Sequence, residues 1–207
     1  MCPKLTRERA EQQLASHRAR LIDGLADAIR EKGLADTHVT DIVRHARASR
    51  ETFYRCFEDR DACFIALAES TFNSVLEDVG RAIDPNAPWR DQVDQGIEAL
   101  LKRLDADREV TVTFVNDLPM LGTAGTELRA RRNEQYAQLI VVIANSRAVV
   151  AEVGDVSYVT IERATFLVAG IDSVVDRAVR AGKELAVLAP LLSDLARRVL
   201  APDFAPP

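Results

Sequence analysis

The chain is short of the residues that staple small secreted domains and build most metal sites. Its three cysteines, at positions 2, 56 and 63, fit neither a disulfide framework nor a close pair of metal ligands, and read as idle or buried thiols in a reducing compartment. All three histidines fall within the first 60 residues, which leaves the remainder without raw material for a histidine metal site or a nucleophilic triad. Carboxylates alone are too common to indicate hydrolysis, so the expectation is no metal, no cofactor and no enzymatic activity. No apolar run approaches the about 18 residues of a membrane span. The opening MCPKLTRERAEQQLASHRAR lacks the apolar core of a secretory signal, so a cytoplasmic location with no membrane partner is expected. Glycine and proline number only 9 and 8, which argues against a disordered or fibrous chain.

What is present is an ordinary folded composition: 207 residues, 47% hydrophobic and 29% charged, enough for one domain or a small one joined to a larger one. The net charge of -5 argues at first against a nucleic-acid partner. Its distribution weakens that objection, because residues 1–60 hold 12 Lys+Arg against 10 Asp+Glu and the rest hold 15 against 22. A slightly basic head on an acidic body suits a protein that binds phosphate at one end.

Helical periodicity organises the chain. Leu21, Ile22, Leu25, Ala28 and Ile29 set out one apolar face that Gly33 closes, and Val39, Ile42, Val43 and Ala46 set out a second. After Arg47-Ala48, Ser49 is a good N-cap for a third short helix, in which Phe53 and Phe57 stand four apart while Arg50, Glu51, Thr52, Tyr54 and Arg55 occupy the outward surface. Asp59 can cap a fourth helix whose apolar side runs from Ala62 to Val79. The stretch DPNAPW, 84–89, is a loop, and Val93 to Leu104 mark a fifth helix. Residues 107–118 contain VTVTFV, which could pass for a strand; a helix is expected because an isolated strand would have nothing to pair with. Pro119, Gly122 and Gly125 end it. A long helix runs from Thr126 to before Gly154, followed by helices over about 156–180 and 184–200. The last two are apolar over more than one stripe. Leu167, Ile171, Val174, Val175, Ala178, Leu188, Leu192 and Leu195 are therefore expected to form half of a symmetric bundle with a second copy, the alternative being that both helices pack within one subunit.

Gly33, Val39-Thr40-Asp41-Ile42, Ala46, Ser49, Thr52-Phe53-Tyr54, Phe57 and Arg60 stand in the order and spacing of a known head. Over about residues 20–67 the chain resembles the DNA-binding domain of the TetR family of transcriptional regulators. The resemblance implies an all-α protein: a charged tail at 1–19, a three-helix head with a helix-turn-helix at 20–66, a helical effector-binding and dimerisation domain at 67–203, and a short tail at 204–207. Three positions depart from the family pattern. Arg47 stands where a turn glycine is usual, His38 where a capping Thr is usual, with Thr37 able to substitute, and Arg60 where a Lys is usual.

In a helix-turn-helix the second helix enters the major groove, where each base pair shows a distinct donor and acceptor pattern. Arg50 is the expected base reader through a bidentate pair with guanine; Glu51 can accept from cytosine, and Thr52 can serve a base or a phosphate. Tyr54, Arg55 and Arg60 are expected phosphate clamps, Ser49 stands at the start of the reading helix, and Arg44 and Arg47 flank it. The family's effector pocket lies in the body, where Trp89, Phe114, Asn116, Leu118, Met120, Tyr136, Thr160 and Phe166 are candidate lining, each also readable as plain core. The expected function is a dimeric, ligand-responsive repressor of a near-palindromic DNA operator, released by a small apolar effector. A helical protein-binding module or a small helical enzyme are the alternatives.

Overall fold

The computed structural model describes residues 3–146, 149–150 and 159–201. Nine α-helices are described: α1 (Pro3–Lys32), α2 (Val39–His45), α3 (Arg50–Cys56), α4 (Arg60–Ala82), α5 (Trp89–Ala106), α6 (Arg108–Asp117), α7 (Thr123–Ala144), α8 (Ile161–Arg180) and α9 (Ala189–Leu200). Short 3-10 turns at Leu118–Leu121 and Ala186–Leu188 join α6 to α7 and lead into α9. The described residues contain no strand and no helix long and apolar enough to cross a membrane. The break expected at Gly154, the start of the eighth helix near 156 and the tail at 204–207 lie outside the described residues.

The structure departs from the sequence expectation at the beginning. Residues 3–19 are not a separate tail but the first turns of α1, as a stretch rich in Glu, Gln, Ala, Leu and Arg without an internal glycine would favour. Gly33 ends α1 at φ 78, and Thr37, fully buried, donates its hydroxyl to the Gly33 carbonyl at 2.6 Å. Thr37 therefore closes the end of α1 rather than capping α2. His38 is the N-cap of α2, and its backbone N–H donates to the Asp41 carboxylate at 2.8 Å. Gly24 lets α1 and α2 touch: a Cβ there would sit 2.7 Å from the Ile42 carbonyl oxygen and 2.8 Å from the Ala46 nitrogen.

VTVTFV is helical, as expected. Its hydroxyls are satisfied within the chain, Thr111 donating to the Leu104 carbonyl at 2.8 Å and Thr113 to Glu109 at 2.9 Å, so α6 can be buried along most of one face. That face joins head to body. Leu21, Leu25, Ile42, Phe53 and Phe64 form one core with Val110, Phe114 and Leu118, and the Phe114 ring lies 5.6 Å from Phe64 and 5.4 Å from Phe72. A bidentate Arg30–Asp107 pair ties α1 to the start of α6 from outside. A second core gathers Ile97, Leu101, Val115, Leu167, Val175, Leu185 and Leu192 under α8 and α9.

Candidate functional site

The outward face of α3 is built from beneath. Phe53 is fully buried and Phe57 nearly so, which fixes the helix on α1 and α2 and turns Arg50, Glu51, Tyr54 and Arg55 to solvent. Tyr54 is 53% exposed, with its ring edge-on to Phe53 at 5.4 Å. Ser49 caps the helix, its hydroxyl accepting from the Thr52 N–H at 3.0 Å, and the two hydroxyls also meet at 2.9 Å. Ser49 and Thr52 are thus engaged with each other at the helix start. Among the described residues no side-chain hydrogen bond or ion pair ties down Arg47, Arg50, Glu51 or Arg55, so four charged side chains along α3 and the turn before it are uncommitted.

Two expected DNA contacts are occupied elsewhere. The Arg60 guanidinium donates to the carbonyls of Leu34 at 3.1 Å and Thr37 at 3.3 Å and pairs with Asp61, holding the α1–α2 loop against α4. Arg44 pairs with Glu31 at 2.6 Å, and His45 meets the same carboxylate at 2.7 Å. The Arg44 and His45 hydrogen bonds hold the Glu31 carboxyl below its usual range.

The turn between α2 and α3 answers the substitution of arginine for glycine. Arg47 has φ 48 and is the one non-glycine residue at positive φ among those described. The Ala48 N–H donates to the Val43 carbonyl at 2.9 Å and the Arg47 N–H to Arg44 at 3.3 Å, the paired bonds of a Schellman ending, whose left-handed position is normally glycine. The backbone the motif needs is kept, with a charged side chain added to it.

In the body, α4, α5, α6, α7, α8 and α9 line a partly open cavity of ≈ 210 Å³, far more than a single water needs. Trp89, Phe114 and Tyr136, three of the candidates named from the sequence, line it. Asn116, Leu118, Met120, Thr160 and Phe166 do not. Leu118 is buried in the head-side core, Met120 is 79% exposed, and Asn116 accepts from Arg180 at the surface. Thr160 caps α8, and Phe166 is 70% exposed on that helix's outer side. Much of the wall is instead aliphatic, with Leu76, Val79, Val93, Leu100, Ile140 and Ile143 among its residues. These are ordinary stripe residues in sequence, and only the packing of three helices shows that they face one another across a gap.

The charges on that wall are all paired. Arg103 meets Asp78, Asp107 meets Arg30, Arg132 meets Asp172, and Arg129 reaches both Asp172 and Asp176. Tyr136 donates to the Phe72 carbonyl at 3.3 Å, and burial pushes its phenol up to about 12. Gln92 donates to the Ala87 carbonyl at 2.8 Å. The interior therefore offers apolar surface without an unbalanced charge.

The terminal helices bury half of the residues expected at a dimer face. Leu167, Val175, Ala178 and Leu192 are buried in the subunit's own core, Ile171, Val174 and Leu188 are half-buried, and Leu195 is exposed. The outer strip consists of Phe166, Ala169, Gly170 and Ser173 on α8, with Leu191 and Leu195 on α9. The most hydrophobic stripe of each helix went to its own core, leaving a weaker apolar strip outside.

Residues 21–67 match the family model described as bacterial regulatory proteins, tetR family. No curated protein matches the chain in sequence. Among solved structures, the fatty acid degradation regulator FadR from Bacillus halodurans aligns with TM-score 0.70 and 16% identity, over 88% of this chain and 97% of that one. FadR from Bacillus subtilis in complex with stearoyl-CoA aligns with TM-score 0.70 and 16% identity, over 89% and 98%. A TetR transcriptional regulator from Rhodococcus sp. RHA1 aligns with TM-score 0.69 and 13% identity, over 94% and 100%. At these identities the likeness is one of fold.

Proposed function

From a head that matches the family model of bacterial regulatory proteins, tetR family, on a body with the fold of solved TetR regulators, we infer that this chain is a ligand-responsive, DNA-binding transcriptional regulator. The observation that carries the reading is the outward face of α3: charged side chains uncommitted along a helix anchored by buried Phe53 and Phe57. In the major groove Arg50 is the base reader, Glu51 and Thr52 lie beside it, and Tyr54, Arg55 and Arg47 meet phosphates. Arg44 and Arg60 act indirectly, by holding α2 and the α1–α2 loop in place. The protein works as a homodimer through the strip of Phe166, Ala169, Gly170, Leu191 and Leu195, so that two heads read a near-palindromic operator.

The effector is uncharged and apolar, because the cavity wall pairs every charge it has and spends its polar groups on backbone carbonyls. Such a ligand releases DNA by binding the operator-incompetent form more tightly than the competent one, which makes the regulator a repressor. A FadR of this fold holds stearoyl-CoA, so acyl chains are sensible first probes.

The test is selection of duplexes from a random pool by the pure protein. A near-palindrome should emerge, with half-site centres about 34–36 Å or a multiple apart. Arg50→Ala should weaken the selected duplex by about 1–3 kcal/mol per lost base contact and flatten preference at one symmetric pair of positions. A pool that shows no enrichment would sink the reading.

A further inference from the structure

Arg20 lies on α1, outside the α2–turn–α3 unit and absent from every expected contact set. Its guanidinium donates to two successive carbonyls, Ala46 at 2.5 Å and Arg47 at 2.9 Å. Those carbonyls belong to the turn in which Arg47 takes φ 48. The Schellman bonds already satisfy Val43 and Arg44, whereas the Ala46 and Arg47 carbonyls point out of the end of α2, where a cation is favoured by both hydrogen bonding and the helix dipole. Glycine would hold this backbone unaided; arginine, whose Cβ crowds the backbone at positive φ, does not. Two residues earlier Arg18 donates to the Cys56 carbonyl at 3.0 Å and lies 4.3 Å over the Phe57 ring. One stretch of α1 thus grips the approach to α3 and its far end.

We propose that Arg20 is a positioning residue for DNA reading: by chelating the Ala46 and Arg47 carbonyls it locks the left-handed turn that places the Arg47 side chain beside α3 as an added phosphate contact. The proposal rests on the DNA-binding reading above. The exchange of turn glycine for arginine is then a paired change, a charge gained at the groove edge and a brace on α1 that keeps its backbone in place.

The test is a double-mutant cycle on the full chain with the selected duplex, read by fluorescence anisotropy over a salt series and by amide hydrogen exchange of the free protein. Arg47→Gly should lower the magnitude of the salt slope by about 0.9 per head, the value for one phosphate contact. Arg20→Gln should weaken binding about tenfold in the wild-type background and less than about threefold in the Arg47→Gly background, a coupling within the range for contacting residues. It should also speed exchange of the Ala48 amide, and Arg47→Gly should suppress that effect. Arg18→Gln is the control: it loosens the far end of α3, and Arg47→Gly should leave its cost unchanged. Equal loss from Arg20→Gln in both backgrounds would overturn the proposal and make Arg20 a direct phosphate contact or plain scaffold. Rescue of Arg18→Gln by Arg47→Gly would overturn it too, since glycine would then act by general stabilisation. A wild type that fails to bind duplex with salt-sensitive affinity sinks the DNA-binding reading itself, whereas binding without the coupling sinks only the inference.

Discussion

The head and the body carry their candidate surfaces in opposite places. In the head, burial is structural and exposure is informative: Phe53, Phe57 and Phe64 hold the helices, and what matters is the charge left uncommitted outside them. In the body the candidate effector surface is internal, made of half-buried side chains such as Leu76, Val93 and Ile140 that face a gap instead of each other. The helix α6 belongs to both, with Val110 and Phe114 in the head's core and on the cavity wall. A side chain's burial therefore says little about its role until the element on its other side is known.

The comparison is tested most severely at α8 and α9, where the body too exposes apolar side chains. Leu192 is 2% exposed and Phe166 is 70% exposed. Leu192→Glu places an unpaired charge in the second core and should unfold the body outright, with loss of helical circular dichroism at ambient temperature. Phe166→Glu should keep the circular dichroism spectrum and halve the mass measured by light scattering. If Phe166→Glu unfolded the chain, or if the wild type already ran at the mass of one subunit, the exposed strip would not be a dimer face.

A smaller effect sharpens the contrast between filled and open cores. Phe64 is fully buried against Phe114, and Phe64→Ala should cost about 3–5 kcal/mol in urea unfolding. Leu76 lines the cavity and is only half-buried; its atoms already lack neighbours on one side, so Leu76→Ala should cost about 1 kcal/mol, below the roughly 2–5 kcal/mol of a fully packed site. Equal costs would mean that the cavity closes in solution.

How much of this was legible in sequence follows from the same contrast. The head was legible because its signals are local: Ser49 and Asp59 cap the helices they precede, Gly33 ends α1, and Phe53 with Phe57 names the buried side of α3. The helical state of VTVTFV followed from the lack of a pairing partner. The cavity was only partly legible. Trp89, Phe114 and Tyr136 stood out by size, while the aliphatic wall looks like any amphipathic stripe. Met120 and Phe166 misled because large apolar residues were read as interior, and Thr160 because a capping hydroxyl and a pocket hydroxyl look alike in sequence. At the terminal helices periodicity finds the most hydrophobic stripe, which the subunit largely keeps for itself, so that of the residues expected at a dimer face only Leu195 is exposed. Arg60 and Arg44 show the same gap for charge: a sequence shows a cation, and only the fold shows the carbonyls and carboxylate that occupy it.

The smallest effect lies at the seam between the two regions. Asp117 is the last residue of α6, beside the negative end of the helix dipole. Burial raises its carboxyl above the ordinary range, and the attraction of Arg60 only partly offsets this. An acid whose folded pKa is raised binds its proton more tightly in the folded state, so its ionisation destabilises the fold above that pKa, and the penalty is relieved as pH falls through it. Asp117→Asn should therefore stabilise the protein at neutral pH by about 0.3–1 kcal/mol, the scale of a charge at a helix end. The gain should shrink on acidification through the carboxylate range, where the wild-type group becomes neutral as well. Urea midpoints of the two proteins at neutral and mildly acid pH decide it. A variant that is less stable at neutral pH would show that the Arg60 attraction outweighs burial and that Asp117 helps to fasten the head to the body.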